Sequence, residues 1–159
     1  MSARNLPHWE LPGALYHVET RTRPNVLLSP HERTVVVENI WHYSATKFDV
    51  MAYVVMPDHF HMVIHPKEII ADGSGGKYHS LASIKHSLKR FTAHALRRPL
   101  WQDEAYDRII RSEKEYLRLM QYIRNNPVEA ELVAKSEDYP WLWHEGLPLP
   151  ASVAQVPHL

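Results

Sequence analysis

The spacing of apolar and polar positions changes several times along this chain, and each change predicts an element. Over residues 13–23 a partial alternation with Tyr16, Val18 and Thr20 predicts a strand, closed by Pro24. Ser29-Pro30-His31-Glu32 marks a helix start. Ser29 can cap it, Pro30 suits the first helical position, and Glu32 completes a capping box. That helix is expected to reach about Ala45, with Val35, Val36, Ile40 and Tyr43 facing inward. Residues 50–56 are mostly apolar and predict a central strand. Pro57-Asp58 predicts a turn, and residues 60–64 a second strand closed by Pro66, so the two form an antiparallel hairpin. Residues 72–76 read as a Gly-rich loop.

Residues 80–98 predict a long helix ended by Pro99, with Leu81, Ile84, Leu88, Phe91 and Leu96 on its apolar side. A short strand is expected over 106–110. Ser112-Glu113-Lys114-Glu115 reads as another capping box, opening a helix to about Asn125 with Leu117, Met120 and Ile123 apolar. Pro127 is expected to stop or kink it, with a further short helix over 128–133. The order is strand, helix, hairpin, helix, short strand, helix. It predicts an α+β fold with helices packed on an antiparallel sheet, close to a ferredoxin-like arrangement. Residues 1–145 are expected as one domain, and residues 146–159, with Pro148, Pro150 and Pro157, as a loose tail.

Composition narrows the chemistry. The chain has 159 residues, enough to bury a core, and no cysteine, which excludes disulfides and thiolate metal sites. A metal would have to be held by His, Asp, Glu, Asn or Gln. No apolar stretch is long enough to span a bilayer and residues 1–9 hold no signal-like run, so a cytoplasmic protein without a membrane partner is expected. The formal net charge is zero, but residues 77–111 hold eight Lys/Arg against three Asp/Glu. That run is either a solvated helix face or a surface for phosphates.

Two constellations carry candidate chemistry. His59 and His61 lie two apart on a predicted strand, so both imidazoles share one face while Phe60 turns to the other. They are either ligands to one ion or two histidines lining a solvated sheet face. Tyr122 and Asn126 lie four apart on the last long helix and share a face. They are either a reactive pair, or a core-edge tyrosine and an asparagine closing the helix before Pro127.

Taken together, the motifs resemble something specific. The segment Ala52-Tyr53-Val54-Val55-Met56-Pro57-Asp58-His59-Phe60-His61-Met62-Val63-Ile64 resembles the hairpin of single-tyrosine HUH transposases. Tyr16-His17-Val18 with Arg21 is similar to their first strand. Leu100-Trp101-Gln102, Tyr106-Asp107 and Ile110-Arg111 resemble their linker before the last helix. Tyr122-Ile123-Arg124-Asn125-Asn126-Pro127, followed by Ala130, Leu132 and Val133, resembles their tyrosine helix, and Tyr139-Pro140-Trp141 the close of the domain. The pattern is most similar to the REP-associated tyrosine transposase branch and covers about residues 13–143.

The resemblance implies an HUH endonuclease fold and a transposase-like enzyme that nicks and rejoins single-stranded, hairpin-flanked DNA. Tyr122 would be the nucleophile, forming a 5′-phosphotyrosine. His59, His61 and Asn126 would hold Mg2+ or Mn2+; this branch places Asn where relatives carry Gln. Asp58 departs from the family, which often has Asn there, and the Gly73–Gly76 segment reads as an insertion. Lys85, Lys89, Arg90, Arg97 and Arg98 would meet the phosphates of a DNA hairpin, Arg21 and Arg23 the single strand beside it, and Trp9, Trp101 and Tyr106 would stack on unpaired bases. Both monomers and swapped homodimers occur among such enzymes. The main alternative is a catalytically silent, domesticated hairpin-binding protein on the same scaffold. A metallohydrolase unrelated to DNA and a metal-storing protein are two others, and neither accounts for the basic segment.

Overall fold

The computed structural model describes residues 14–69 and 77–150. Its elements are β1 (Leu15–Thr22), α1 (Pro30–Ser44), β2 (Phe48–Val55), β3 (His59–Pro66), α2 (Leu81–Leu96), β4 (Trp101–Ile110), α3 (Glu113–Glu129) and β5 (Leu142–His144), with a 3-10 turn at Ser136–Asp138 before β5. The strands form one sheet in the order β4-β1-β3-β2-β5, every pair antiparallel. Its first four strands in that order are the ferredoxin-like arrangement expected from the sequence.

The sheet buries both faces. On one face Val18, Tyr53, Phe60, Met62 and Ile64 pack with Val36 and Ile40 of α1 and Ile84 and Leu88 of α2. On the other, Leu15, Val54, Val63 and Ile110 pack with Tyr116 and Ile123 of α3. A bulge between Val50 and Ala52 places Met51 and Ala52 both on the α3 side, and the alternation resumes at Tyr53. Among the described helices α3 is the one on the face that carries His61, because His61 and Val63 alternate with Phe60 and Met62 along β3.

Local chemistry sets the helix starts. The Ser29 hydroxyl accepts from Glu32 N at 3.2 Å and Glu32 Oε1 accepts from Ser29 N at 3.0 Å, a complete capping box. Ser112 makes only half of one: its hydroxyl accepts from Glu115 N, while the Glu115 carboxylate turns to Arg108 and to the backbone N–H of Arg111. On α1, Val37 and Trp41 are buried with Val36, Ile40 and Tyr43, whereas Val35 is only partly covered. The helix α2 stops at Leu96 because Arg97 takes a left-handed conformation, φ 57°, before Pro99.

Three elements differ from the sequence expectation. The strand β4 is ten residues long and begins at Trp101; its polar Gln102, Asp103 and Glu104 are tolerated because it is an edge strand. The helix α3 continues through Pro127 to Glu129 instead of breaking, with Pro127 buried, and the separate helix expected over 128–133 does not form. The short strand β5 adds a fifth strand beside β2. The start of the expected tail is tied down, Trp143 Nε1 donating to Pro148 O at 3.2 Å. Trp9, the Gly73–Gly76 segment and residues 151–159 lie outside the described residues.

Candidate active site

Pairing of β1 with β3 sets Glu19 opposite His61 and Arg21 opposite His59. The same face of β1 presents His17, which contacts His61 directly. Nε2 of His17 is 2.9 Å from Nδ1 of His61, and the rings stack with centroids 5.1 Å apart. The ring of His59 stands perpendicular to that of His61 at 4.9 Å. The two histidines predicted to share a face do so. His59 Nδ1 is 2.7 Å from Asp58 Oδ1, so Asp58 holds the first histidine of the pair.

Glu19 completes the cluster. One of its oxygens is 3.9 Å from Nδ1 of His61, and the other accepts from Arg21 Nε at 2.8 Å. Ligand atoms of His17, Glu19 and His61 all lie within 4.8 Å of one another, close enough to converge on one cation. Among the described residues the buried Nε2 of His61 has no hydrogen-bond partner, like both ring nitrogens of His65, and at His61 a metal ion would satisfy it. The donor set of imidazole and carboxylate suits a divalent ion. The residues present thus fit a metal, and two of them, His17 and Glu19, were not singled out from the sequence. Their signal is their register on β1, visible only once β1 is paired with β3.

Electrostatics favour the neutral form of His17 and His61. Burial, followed by the proximity of His59, His17 and Arg21, pushes the His61 pKa down to about 3. Burial also lowers that of His17, against the pull of Glu19. Neutral imidazoles are the form that can bind a metal.

The helix α3 lays Tyr122 over His61, the rings meeting edge to face at 5.3 Å. Tyr122 is 47% exposed, and its hydroxyl has no hydrogen-bond partner among the described residues. Tyr116, the other tyrosine of α3, is buried, and its hydroxyl is bound to Glu145. Burial and that carboxylate raise its pKa far above the ordinary phenol value. Tyr122 and Asn126 line one cleft of about 430 Å³ with Asp58, His59, Leu27 and Leu132. The sequence-predicted tyrosine, asparagine and first histidine thus share one opening, and His61 touches the tyrosine ring from beneath.

The predicted phosphate contacts divide. Lys85, Lys89, Arg90 and Arg23 line a groove of about 480 Å³ between α2 and β4, with His86 and Trp101. Lys85 is paired with Asp107, Lys89 donates to Asp103 O at 2.7 Å, and Arg23 Nε donates to Trp101 O at 3.1 Å. Arg97 and Arg98 lie at the end of α2, outside that lining. Arg98 grips Glu32 with two nitrogens, at 3.0 and 2.7 Å, and donates to Leu27 O at 3.2 Å. Trp101 is buried and its indole N–H donates to Thr92 Oγ1 at 2.7 Å, so it is a core aromatic, whereas Tyr106 is half exposed. A third cleft of about 520 Å³, lined by Arg21, Arg23, Asn25, Leu27, Asp58 and Gln102, joins the other two. It shares Arg23 with the basic groove and Leu27 and Asp58 with the tyrosine cleft. The three clefts thus share lining residues from the basic groove to the cleft of Tyr122.

No family model matches the chain. An uncharacterized protein of Haemophilus influenzae is 31% identical over 97 residues, 48% of this chain and 52% of that protein. A REP-associated tyrosine transposase of Escherichia coli is 29% identical over 94 residues, 59% of this chain and 53% of the transposase. The chain spans about half the length of these curated relatives. A solved structure of a REP-associated tyrosine transposase bound to a REP hairpin has the same fold, with a TM-score of 0.69 and 22% identity over 83% of this chain and 77% of that one. The resemblance to REP-associated tyrosine transposases read from the motifs is borne out by that relative and by this shared α+β fold.

Proposed function

We propose that this protein is a transposase-like enzyme that cuts and rejoins single-stranded DNA beside a hairpin, with Tyr122 as nucleophile. The observation that carries the reading is the edge-to-face contact of the exposed Tyr122 ring with the buried His61, beside His17 and Glu19, whose ligand atoms with those of His61 could hold a cation. The Escherichia coli relative and the hairpin-bound structure support a DNA hairpin as the partner.

Each group has a role in this reading. Tyr122 Oη attacks the scissile phosphorus, the P–O3′ bond breaks, and the phenolic proton ends on the departing 3′-hydroxyl. The 5′ end remains on Tyr122 as a phosphotyrosine. The step reverses when a 3′-hydroxyl attacks that ester, so the bond energy is conserved and no nucleotide cofactor is needed. His61 would hold a divalent ion, Mg2+ or Mn2+, with His59 and Asn126, which share one cleft, while His17 and Glu19 from β1 flank the Nδ1 of His61. Such an ion, when bound, supplies positive charge that polarises the phosphate. Asn126, one turn after Tyr122 on α3, keeps an amide beside the reacting phosphate. Asp58 orients His59 through its Nδ1.

The three clefts supply the DNA path. A hairpin stem seated on Arg23, Lys85, Lys89 and Arg90 would pass its single strand over Arg21 and Leu27 to Tyr122. Arg97 would meet phosphates from the rim. Arg98 is committed to Glu32, which gives it a structural task first. Incubation with Mg2+ and single-stranded hairpin DNA from the flanks of the gene, followed by a denaturing gel, tests the reading: a covalent protein–DNA band supports it.

A further inference from the structure

Tyr122 stands between two clefts, and the one shared with Asn126 accounts for only one side of it. The other, about 280 Å³, is lined by His17, Arg108, Glu115, Arg118 and Tyr122, with apolar Leu119 and Ile110 behind. Arg118 precedes Tyr122 by one helical turn, as Asn126 follows it. Its guanidinium has no ion-pair partner among the described residues. The carboxylate within its reach on the helix, Glu115, is already taken by Arg108 Nη2 at 2.7 Å and by the backbone N–H of Arg111 at 3.3 Å. Two guanidiniums therefore face one carboxylate beside the tyrosine, and the excess positive charge lies next to where the DNA would be attacked.

We infer that this cleft seats a backbone phosphate of the DNA strand, adjacent to the scissile one, with Arg118 as its main contact and Arg108 as support. The inference rests on the strand-cutting reading of Tyr122. The geometry is what an unstacked strand needs. Four residues of helix advance about 6 Å, more than the axial step of about 3.4 Å per nucleotide of a stacked strand. An extended strand crossing Tyr122 thus places one phosphate over Tyr122 and the next over Arg118. The half-exposed ring of Tyr106, edge-on to His17 at 5.7 Å, lies beside the cleft where a neighbouring base can stack. Guanidinium is suited to a phosphodiester because its N–H fork meets two oxygens at once.

The test replaces single phosphates near the cleavage position by uncharged methylphosphonates and measures equilibrium binding of the hairpin DNA to Tyr122→Phe protein, alone and combined with Arg118→Ala. At one position next to the scissile phosphate, neutralisation is expected to weaken binding about tenfold. In the Arg118→Ala background the same change is expected to cost less than about twofold, and Arg118→Lys to recover part of the affinity. Arg118 is exposed on a helix and alanine is the best helix former, so the variant retains its fold. No coupling at any position, with covalent adduct still formed by the tyrosine protein, overturns the inference and leaves the cutting reading standing. Coupling without any adduct keeps the phosphate site and overturns Tyr122 as nucleophile. Saturation of the cleft by millimolar inorganic phosphate, seen as Arg118-dependent NMR shifts without coupling to the strand, makes it a free-anion site and also overturns the inference.

Discussion

Nε2 of His17 lies 2.9 Å from Nδ1 of His61, so one of these nitrogens carries the shared proton and the other receives it. The arrangement that leaves the buried Nε2 of His61 bare for a cation has Nδ1 donating to His17. This is the outer-shell hydrogen bond that fixes a ligand's tautomer and ring orientation. His17→Ala is accordingly expected to lower Mn2+ affinity about 10- to 100-fold, read by calorimetry on protein whose circular dichroism is unchanged. His59→Ala, His61→Ala and excess EDTA are each expected to abolish cleavage. An unchanged Mn2+ affinity in His17→Ala would remove His17 from the centre.

The same cluster makes stability depend on pH. His61 has a folded pKa of about 3, against an ordinary value of 6.5, and His17 is lowered too. Both fold as neutral rings, so their contribution is complete above about pH 6.5 and is lost as pH falls toward the folded values. In EDTA stability should fall between pH 6.5 and 4, by up to about 1.4 kcal/mol per pH unit from His61, with His17 adding loss in the same direction. His61→Gln should flatten that dependence; an equal pH slope in wild type and variant would contradict the assignment.

What the sequence reveals here is what lies close along the chain. The sharing of a face by His59 and His61, the capping of α1 by Ser29 and the common face of Tyr122 and Asn126 all follow from periods of two and of about 3.6 residues. His17 and Glu19 escape such reading because their contact with His61 spans 44 residues in the case of His17 and depends on the pairing of β1 with β3. The strand β4 is under-read because an edge strand exposes polar residues such as Asp103 and Glu104. The helix α3 outlasts Pro127 because packing buries the proline, and packing is not a local property.

Arg98 tests whether the basic segment is all for DNA. Its two contacts to Glu32 and one to Leu27 O tie the end of α2 to the start of α1. Arg98→Ala should therefore destabilise the fold by about 1 kcal/mol, the upper end for a partly exposed pair, measured by urea unfolding. No change in stability would place this arginine with the DNA contacts instead.

For the groove between α2 and β4, the salt dependence of hairpin binding is the discriminating quantity. Lys89→Ala with Arg90→Ala should reduce the slope of log affinity against log salt by about 0.7–0.9 for each phosphate that is no longer neutralised. An unaltered slope would mean that the stem binds elsewhere.

Tyr122 carries the central claim. Its hydroxyl is exposed and bonds to no described residue, so Tyr122→Phe should change stability by less than about 0.5 kcal/mol and leave hairpin binding within about twofold, removing only the attacking oxygen. The deciding measurement is a denaturing gel of wild type and Tyr122→Phe, each incubated with Mg2+ and labelled single-stranded hairpin DNA. The prediction is a denaturant-resistant labelled band with wild type and none with the variant. A band of equal intensity in Tyr122→Phe, or none from wild-type protein that binds the hairpin, would contradict the account.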